Sequence, residues 1–273
     1  MTSKQNRLLF FPYFIWIGLF VLIPIGLLIY QSFIGIEGTF TLENIVTYFT
    51  SATYLTMTLQ SFIYAFLITV ITLLISYPTA YFLTQAKRKD LWMLLLILPT
   101  WINVLLKAYA FIGLLSQDGS VNGFFDWIGL GRQQLLFTNA SFLLVATYIE
   151  IPFMLLPIYN AIEEIDPNLL NASRDLGASS WESFKNVIFP LSLSGVRSGI
   201  QVVFIPSLSL FMLTRLIGGN RVITLGTAIE QHFLVTQNWG MGSTIGIVLI
   251  VLMVLTMILT SGRKKGKKGV GRS

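Results

Sequence analysis

The chain has 273 residues, of which 54% are hydrophobic and 11% charged. A soluble domain carries about 25% charged residues, and here the apolar residues cluster in long runs, so the composition excludes a soluble globular protein and requires an integral membrane one. The net charge of +6 resides in an acid-free tail of Arg263, Lys264, Lys265, Lys267, Lys268 and Arg272, which excludes a basic nucleic-acid-binding face; the absence of cysteine excludes disulfides, thiol catalysis and zinc–thiolate sites.

A helix needs about 20 apolar residues to cross a bilayer. Lys4 and Arg7 precede an apolar run from Leu8 to Ile34. That run exceeds the roughly 7–15-residue core of a signal peptide and lacks a small-residue cleavage site, so it reads as a retained first span over 10–33. Further spans are expected at 57–84, 91–112, 136–159, 194–214 and 241–262. The connecting stretches 113–135 and 215–240 each combine turn-forming glycines with apolar residues, and each is expected to fold a short helix. Pro24, Pro78, Pro99, Pro152, Pro157 and Pro206 fall in or at the ends of spans, where proline kinks a helix and neighbours satisfy the freed carbonyl. The expected fold class is an all-α integral membrane protein. It comprises six transmembrane helices in one domain (1–262) and the basic tail (263–273).

Basic residues favour the cytoplasmic side. With the N-terminus inside, the cytoplasmic segments carry Lys4 and Arg7, then Lys87, Arg88 and Lys89, then Arg174, Lys185 and Arg197, then the six of the tail. The external segments carry only Arg132, Arg215 and Arg221, and Lys107 lies within a span. Both termini and the polar stretch 161–190 are therefore expected in the cytoplasm.

That stretch reads AIEEIDPNLLNASRDLGASSWESFKNVIFP. Asp166 is a good N-cap and Pro167 suits a first helical turn. Leu169, Ala172, Ser173 and Leu176 lie on one helical face, and Gly177 supplies a left-handed stop. Ser179 and Glu182 have capping-box spacing. Trp181, Phe184 and Ile188 give a second helix an apolar stripe, with Pro190 at the entry to the fifth span. The expectation is helix, glycine turn, helix. The small residues Ala172 and Ser173 on the first helix suit close approach by another protein, or packing on the chain's own bundle.

This segment resembles the "EAA" loop of binding-protein-dependent ABC importer permeases, the MetI-like type. That pattern is Glu-Ala-Ala, three residues, Gly, nine residues, a branched apolar residue, one residue, Leu-Pro. Here it runs Asn171-Ala172-Ser173, Gly177, Val187, Phe189-Pro190, with the Gly-to-Pro spacing kept and Asn171, Ser173 and Phe189 departing. The stretches 76–84, 98–113, 148–166 and 217–243 are similar to the spermidine/putrescine branch of the family. The resemblance implies a bacterial cytoplasmic-membrane subunit working with a second homologous permease, an ATPase subunit dimer that binds ATP and Mg, and an extracytoplasmic polyamine-binding protein. It implies that Asn171, Ala172, Ser173, Arg174, Asp175, Gly177, Ala178 and Pro190 form the coupling site.

The chemistry fits a non-catalytic subunit. No phosphate-binding loop appears, since the tail glycine and lysines lack the required spacing and hydroxyl. His232 stands alone, without a metal-ligand partner, so neither a metal nor a cofactor is expected on this chain. A charge at the centre of a span costs about 2.5–3.5 kcal/mol, which makes Glu150 either a cargo contact or a buried partner of Lys107. Trp101, Asn103, Tyr148, Phe211 and Glu230 are further candidates for a cation path, against ordinary packing or an interfacial aromatic belt. Arg215 sits awkwardly in such a path, and both Arg215 and Arg221 suit binding-protein docking or gating. Other cargoes (thiamine, iron, sulfate or an amino acid) remain open. An ion-driven secondary transporter would have no use for a docking hairpin, and a membrane enzyme would need a nucleophile–base or metal constellation that is missing.

Overall fold

The computed structural model describes residues 11–219 and 221–260. Lys4, Arg7 and the basic tail lie outside the described residues. Among the described residues the chain is helical apart from one isolated antiparallel bridge between Ile34 and Phe40. Five helices are long and apolar enough to cross a membrane, and a sharply bent pair makes a sixth if it is taken as one span. The chain divides into two compact units.

The first unit contains α1 (Phe11–Ser32), α2 (Glu43–Thr50), the first residues of α3 (Ala52–Thr84), α11 (Leu225–Glu230, extended by a π-turn to Val235) and most of α12 (Trp239–Thr260). Helix α2 was not anticipated, because eight residues carry too short an apolar stripe to stand out. Asn44 on α2 donates from Nδ2 to the carbonyls of Ser32 (3.1 Å) and Ile34 (3.0 Å), satisfying acceptors that the end of α1 leaves open. Tyr48 is buried and shares a hydrogen bond with Thr58 of α3 at 2.7 Å. Gly240, near the start of α12, sits where a Cβ would overlap the Ile34 carbonyl and the Asn44 amide. The Ser61 hydroxyl accepts from the Leu225 N–H at 2.8 Å, and Thr224 and Thr227 form a capping box on α11. The short helix expected within 215–240 is thus present.

The second unit holds the remainder of α3, followed by α4 (Lys89–Trp101), α5 (Val104–Leu115), α6 (Ser120–Trp127), α7 (Asn139–Glu163), α8 (Pro167–Asp175) and α9 (Ser180–Ser207). All but the first residue of a short α10 (Phe211–Leu216) follows. Helix α7 is the core: 61% of its most apolar stretch is buried, the highest share of any span.

Two expectations about spans are corrected here. The stretch 91–112 is not one straight helix. A turn of 3₁₀ helix at Leu98–Trp101, an extended Ile102 and a new N-cap at Asn103 break it, and the chain turns by 93° between α4 and the segment starting at Val104. Pro99 removes a helical donor just where the break begins.

The helix of the fifth span, expected over 194–214, neither begins after Pro190 nor reaches residue 214. Helix α9 runs unbroken from the hairpin at Ser180 to Ser207. A π-turn at Phe184–Ile188, in which the Phe189 N–H reaches back to the Phe184 carbonyl, widens the helix just before the proline. The same device precedes Pro24 in α1, with a π-turn at Gly18–Leu22.

The short helix expected within 113–135 is α6. Buried Asn122 organises the loop around it: Nδ2 donates to the carbonyls of Ser116 (2.9 Å) and Gln133 (3.0 Å), and Oδ1 accepts from the Gln133 N–H at 2.8 Å.

Candidate functional site: a capped hairpin and a buried charge pair

The stretch 166–190 folds as its residues require. Asp166 caps α8, its carboxylate accepting from the Asn168 N–H at 2.9 Å. At the other end Gly177 adopts φ +85°. Its N–H donates to the Arg174 carbonyl (2.8 Å) and that of Ala178 to the Ser173 carbonyl (3.1 Å), a Schellman closure that only a residue tolerant of positive φ completes without strain. Ser179 and Glu182 form the expected capping box. The Glu182 carboxylate accepts from the Ser179 N–H at 2.8 Å, and the Ser179 hydroxyl from the Glu182 N–H at 3.3 Å. Each cap contributes about 1 kcal/mol, so two helical turns meet at a defined angle without a large core. Ser173 and Ser183 share a hydrogen bond at 2.9 Å across the turn.

The foot of this hairpin is anchored to the bundle by aromatic rings. Phe184 packs on Tyr81 (5.1 Å between centroids), Tyr77 (6.0 Å) and Trp181 (5.4 Å, stacked), and the Tyr77 hydroxyl shares a hydrogen bond with Ser192 at 2.8 Å. Lys89 at the start of α4 forms an ion pair with Glu163 at the end of α7. A cleft of about 400 Å³, lined by Tyr81, Lys89, Glu163, Leu170, Arg174 and Ser183 among others, lies under the turn.

The outer face is open. Asn171, Ala172, Arg174, Asp175, Gly177 and Pro190 are exposed, Ser173 and Ala178 half-buried. Leu176 is 90% exposed and Trp181 69%. The apolar stripe of α8 therefore does not pack on the chain's own bundle.

Sequence reasoning missed how α9 is seated on α7. Gly195 and Gly199, one helical turn apart, face it: a Cβ on Gly195 would lie 2.6 Å from the Ala161 Cβ and closer still to the Pro157 carbonyl, and one on Gly199 would lie 2.6 Å from the Met154 sulfur. This small-xxx-small spacing permits close helix approach in membranes. The signal was present in the sequence Gly195-Val196-Arg197-Ser198-Gly199.

The other candidate residues lie on several elements. Glu150 on α7 and Lys107 on α5 are both buried and attract one another electrostatically. Tyr148, two residues from Glu150 and so roughly 200° around the helix, packs edge-on against Phe111 at 5.1 Å beside an apolar groove with Ile71, Ile75 and Leu144. Trp101 is exposed at the end of α4, and Asn103 caps α5, its Oδ1 accepting from the Leu105 N–H at 2.8 Å. Phe211 is exposed at the start of α10, Arg215 exposed in its last turn, Arg221 exposed in the loop beyond, and Glu230 half-buried at the end of α11.

His232 is half-buried, with Nε2 at 3.0 Å from the Tyr54 hydroxyl and Nδ1 at 3.3 Å from that of Thr236; burial pushes its pKa below the ordinary value. Among the described residues no group of three or more His, Cys, Asp or Glu side chains is arranged to hold a metal ion.

Known proteins bear directly on this arrangement. Residues 73–261 match the model of the binding-protein-dependent transport system inner membrane component. The spermidine/putrescine transport system permease protein PotB of Haemophilus influenzae is 34% identical over 95% of this chain and 94% of its own length. PotB of Escherichia coli is 34% identical over 89% and 92%. The fold matches a chain in a crystal structure of a bacterial ABC transporter that imports alginate, with a TM-score of 0.72 at 20% identity, covering 94% of this chain and 96% of that one. A second alginate transporter structure, solved with its pentasaccharide-bound periplasmic protein, gives a TM-score of 0.74 at 19% identity over 94% and 93%. A match over most of the chain, with the capped hairpin inside it, makes this protein a member of the binding-protein-dependent transport system inner membrane component family.

Proposed function

We propose that this chain is the non-catalytic permease subunit of an ABC importer that takes up polyamines. The observation that carries the coupling role is the open outer face of α8. Two capped helices are fixed to each other and to the bundle, yet Leu169, Ala172 and Leu176 remain exposed. Such a face fits a separate ATPase that binds ATP and Mg, and the aromatic foot and the paired glycines on α9 would carry its motion to the membrane helices. The distribution of basic residues supports a cytoplasmic location for the hairpin and both termini.

The PotB relatives, named for spermidine/putrescine transport, support the cargo. Glu150 is chemically apt for it, because an ammonium group entering a water-poor path needs a carboxylate to offset lost hydration. Loaded extracytoplasmic binding protein would dock outside, with Arg215 and Arg221 serving docking or gating. A second homologous permease would complete the path, with Trp101, Asn103, Tyr148, Phe211 and Glu230 as further lining candidates.

The test is co-purification with the partner subunits, followed by ATPase assays with binding protein loaded with spermidine or putrescine. Stimulation by either is expected. Stimulation by a thiamine-loaded binding protein, with none by the polyamine-loaded one, overturns the cargo; a complex that assembles normally without residues 166–190 overturns the coupling site.

A further inference from the structure

Lys107 is 7% exposed on α5 and Glu150 is 6% exposed on α7. The two helices pack together, and each charge attracts the other. Yet the two side chains are not within the 4 Å of an ion pair, and neither makes a side-chain hydrogen bond among the described residues. Opposite charges buried in a membrane protein recover their desolvation cost only through close contact. A lysine has a flexible four-carbon stem and three rotatable donors with which to reach a carboxylate. A pair serving only to neutralise itself would close.

We infer that Lys107 is a tethered competitor of the cargo for Glu150. Without cargo its ammonium stands near the carboxylate and offsets part of its charge without bonding to it. An incoming ammonium of a di- or polyamine takes its place, and Lys107 withdraws along α5. The carboxylate is never bare, and the cargo must displace a resident cation, so it is held loosely enough to leave again. The inference rests on the reading of Glu150 as a cargo contact. Lys107 is then a specificity-determining residue that acts through Glu150. A neutral solute gains nothing by displacing it, whereas a cation regains the interaction that Lys107 gives up.

The test is equilibrium binding of radiolabelled spermidine to the permease complex in lipid nanodiscs, with no binding protein present. Lys107→Met should bind at least about five-fold more tightly than the wild type, the lower end of coupling between interacting sites. Lys107→Arg should bind like the wild type, and Lys107→Met combined with Glu150→Gln no more tightly than Glu150→Gln alone. Where the methionine variant does not assemble, Lys107→Gln makes the same comparison.

Equal or weaker binding by Lys107→Met, or undetectable binding by both it and the wild type, overturns the exchange. So does a double variant that restores the thermal stability lost by each single one while affinity stays flat, the mark of a purely structural pair. If Glu150→Gln binds as the wild type does, the cargo-path reading falls with it. If Glu150→Gln loses binding while Lys107→Met matches the wild type, only the exchange falls.

Discussion

Replacing Gly195 with alanine adds one methyl group, and the structure fixes what that methyl meets. The new carbon would lie 2.6 Å from the Ala161 Cβ, 3.0 Å from the Ile158 Cα and nearer still to the Pro157 carbonyl oxygen. Ordinary carbon–oxygen contacts are about 3.3–3.6 Å, so α9 must move away from α7 by close to 1 Å. The atoms in the way are backbone and Cβ, which cannot rotate aside. Overpacking of this kind costs about 1–3 kcal/mol, and alanine's better helix propensity returns at most about 1 kcal/mol. The expected net loss is about 1–2 kcal/mol. Gly199→Ala is the internal control. Its nearest obstacle is the Met154 sulfur at 2.6 Å, the end of a flexible side chain, with the Met154 carbonyl at 3.1 Å. It should cost clearly less. Thermal melting of the detergent-solubilised complex, followed by size-exclusion chromatography, ranks the two. A Gly195→Ala protein as stable as the wild type, or a Gly199→Ala protein less stable than Gly195→Ala, would refute the close-packing argument.

Three further outcomes are expected. A Cβ added at Gly177 meets no atom within 4 Å, so the cost of Gly177→Ala is the backbone alone, about 1–2 kcal/mol for an L-residue in the left-handed region; uptake should fall while membrane insertion is kept, and Gly177→Asn should be milder. Asn122→Ala leaves the Gln133 N–H and the Ser116 and Gln133 carbonyls without their side-chain partner, a loss of about 1–3 kcal/mol, visible as faster limited proteolysis between 116 and 133. His232 is held neutral by burial, its folded pKa lying below the ordinary 6.5. Its contribution to stability is therefore complete above that value and is lost as pH falls through the lowered folded pKa. Melting temperatures between pH 7 and pH 5 should drop more steeply for the wild type than for His232→Gln.

The helical hairpin was legible because its signals are local. Asp166, Pro167, Gly177, Ser179 and Glu182 each specify a cap or a turn through their own backbone and side-chain chemistry, and each acts as its position in the chain demands. The spans were legible for a similar reason: a bilayer reads the hydropathy of a continuous run. Helix α2 escaped because its eight residues gain stability from contacts with α1 and α3, through Asn44 and Tyr48, rather than from a run of their own.

The sequence alone determined an all-helical membrane protein, the rough places of its long apolar helices, and the capped geometry of the polar stretch between the fourth and fifth expected spans, because hydropathy and capping operate over a few neighbouring residues. Only the tertiary structure decided that the third span breaks by 93° at Asn103, that the second hairpin helix continues unbroken through Pro190, and that Gly195 and Gly199 seat α9 on α7. It alone packed Tyr148 against Phe111 and left Lys107 near the Glu150 carboxylate without joining it. These features depend on which residues distant in sequence meet across a helix interface, and that pairing is set by the packing of whole helices.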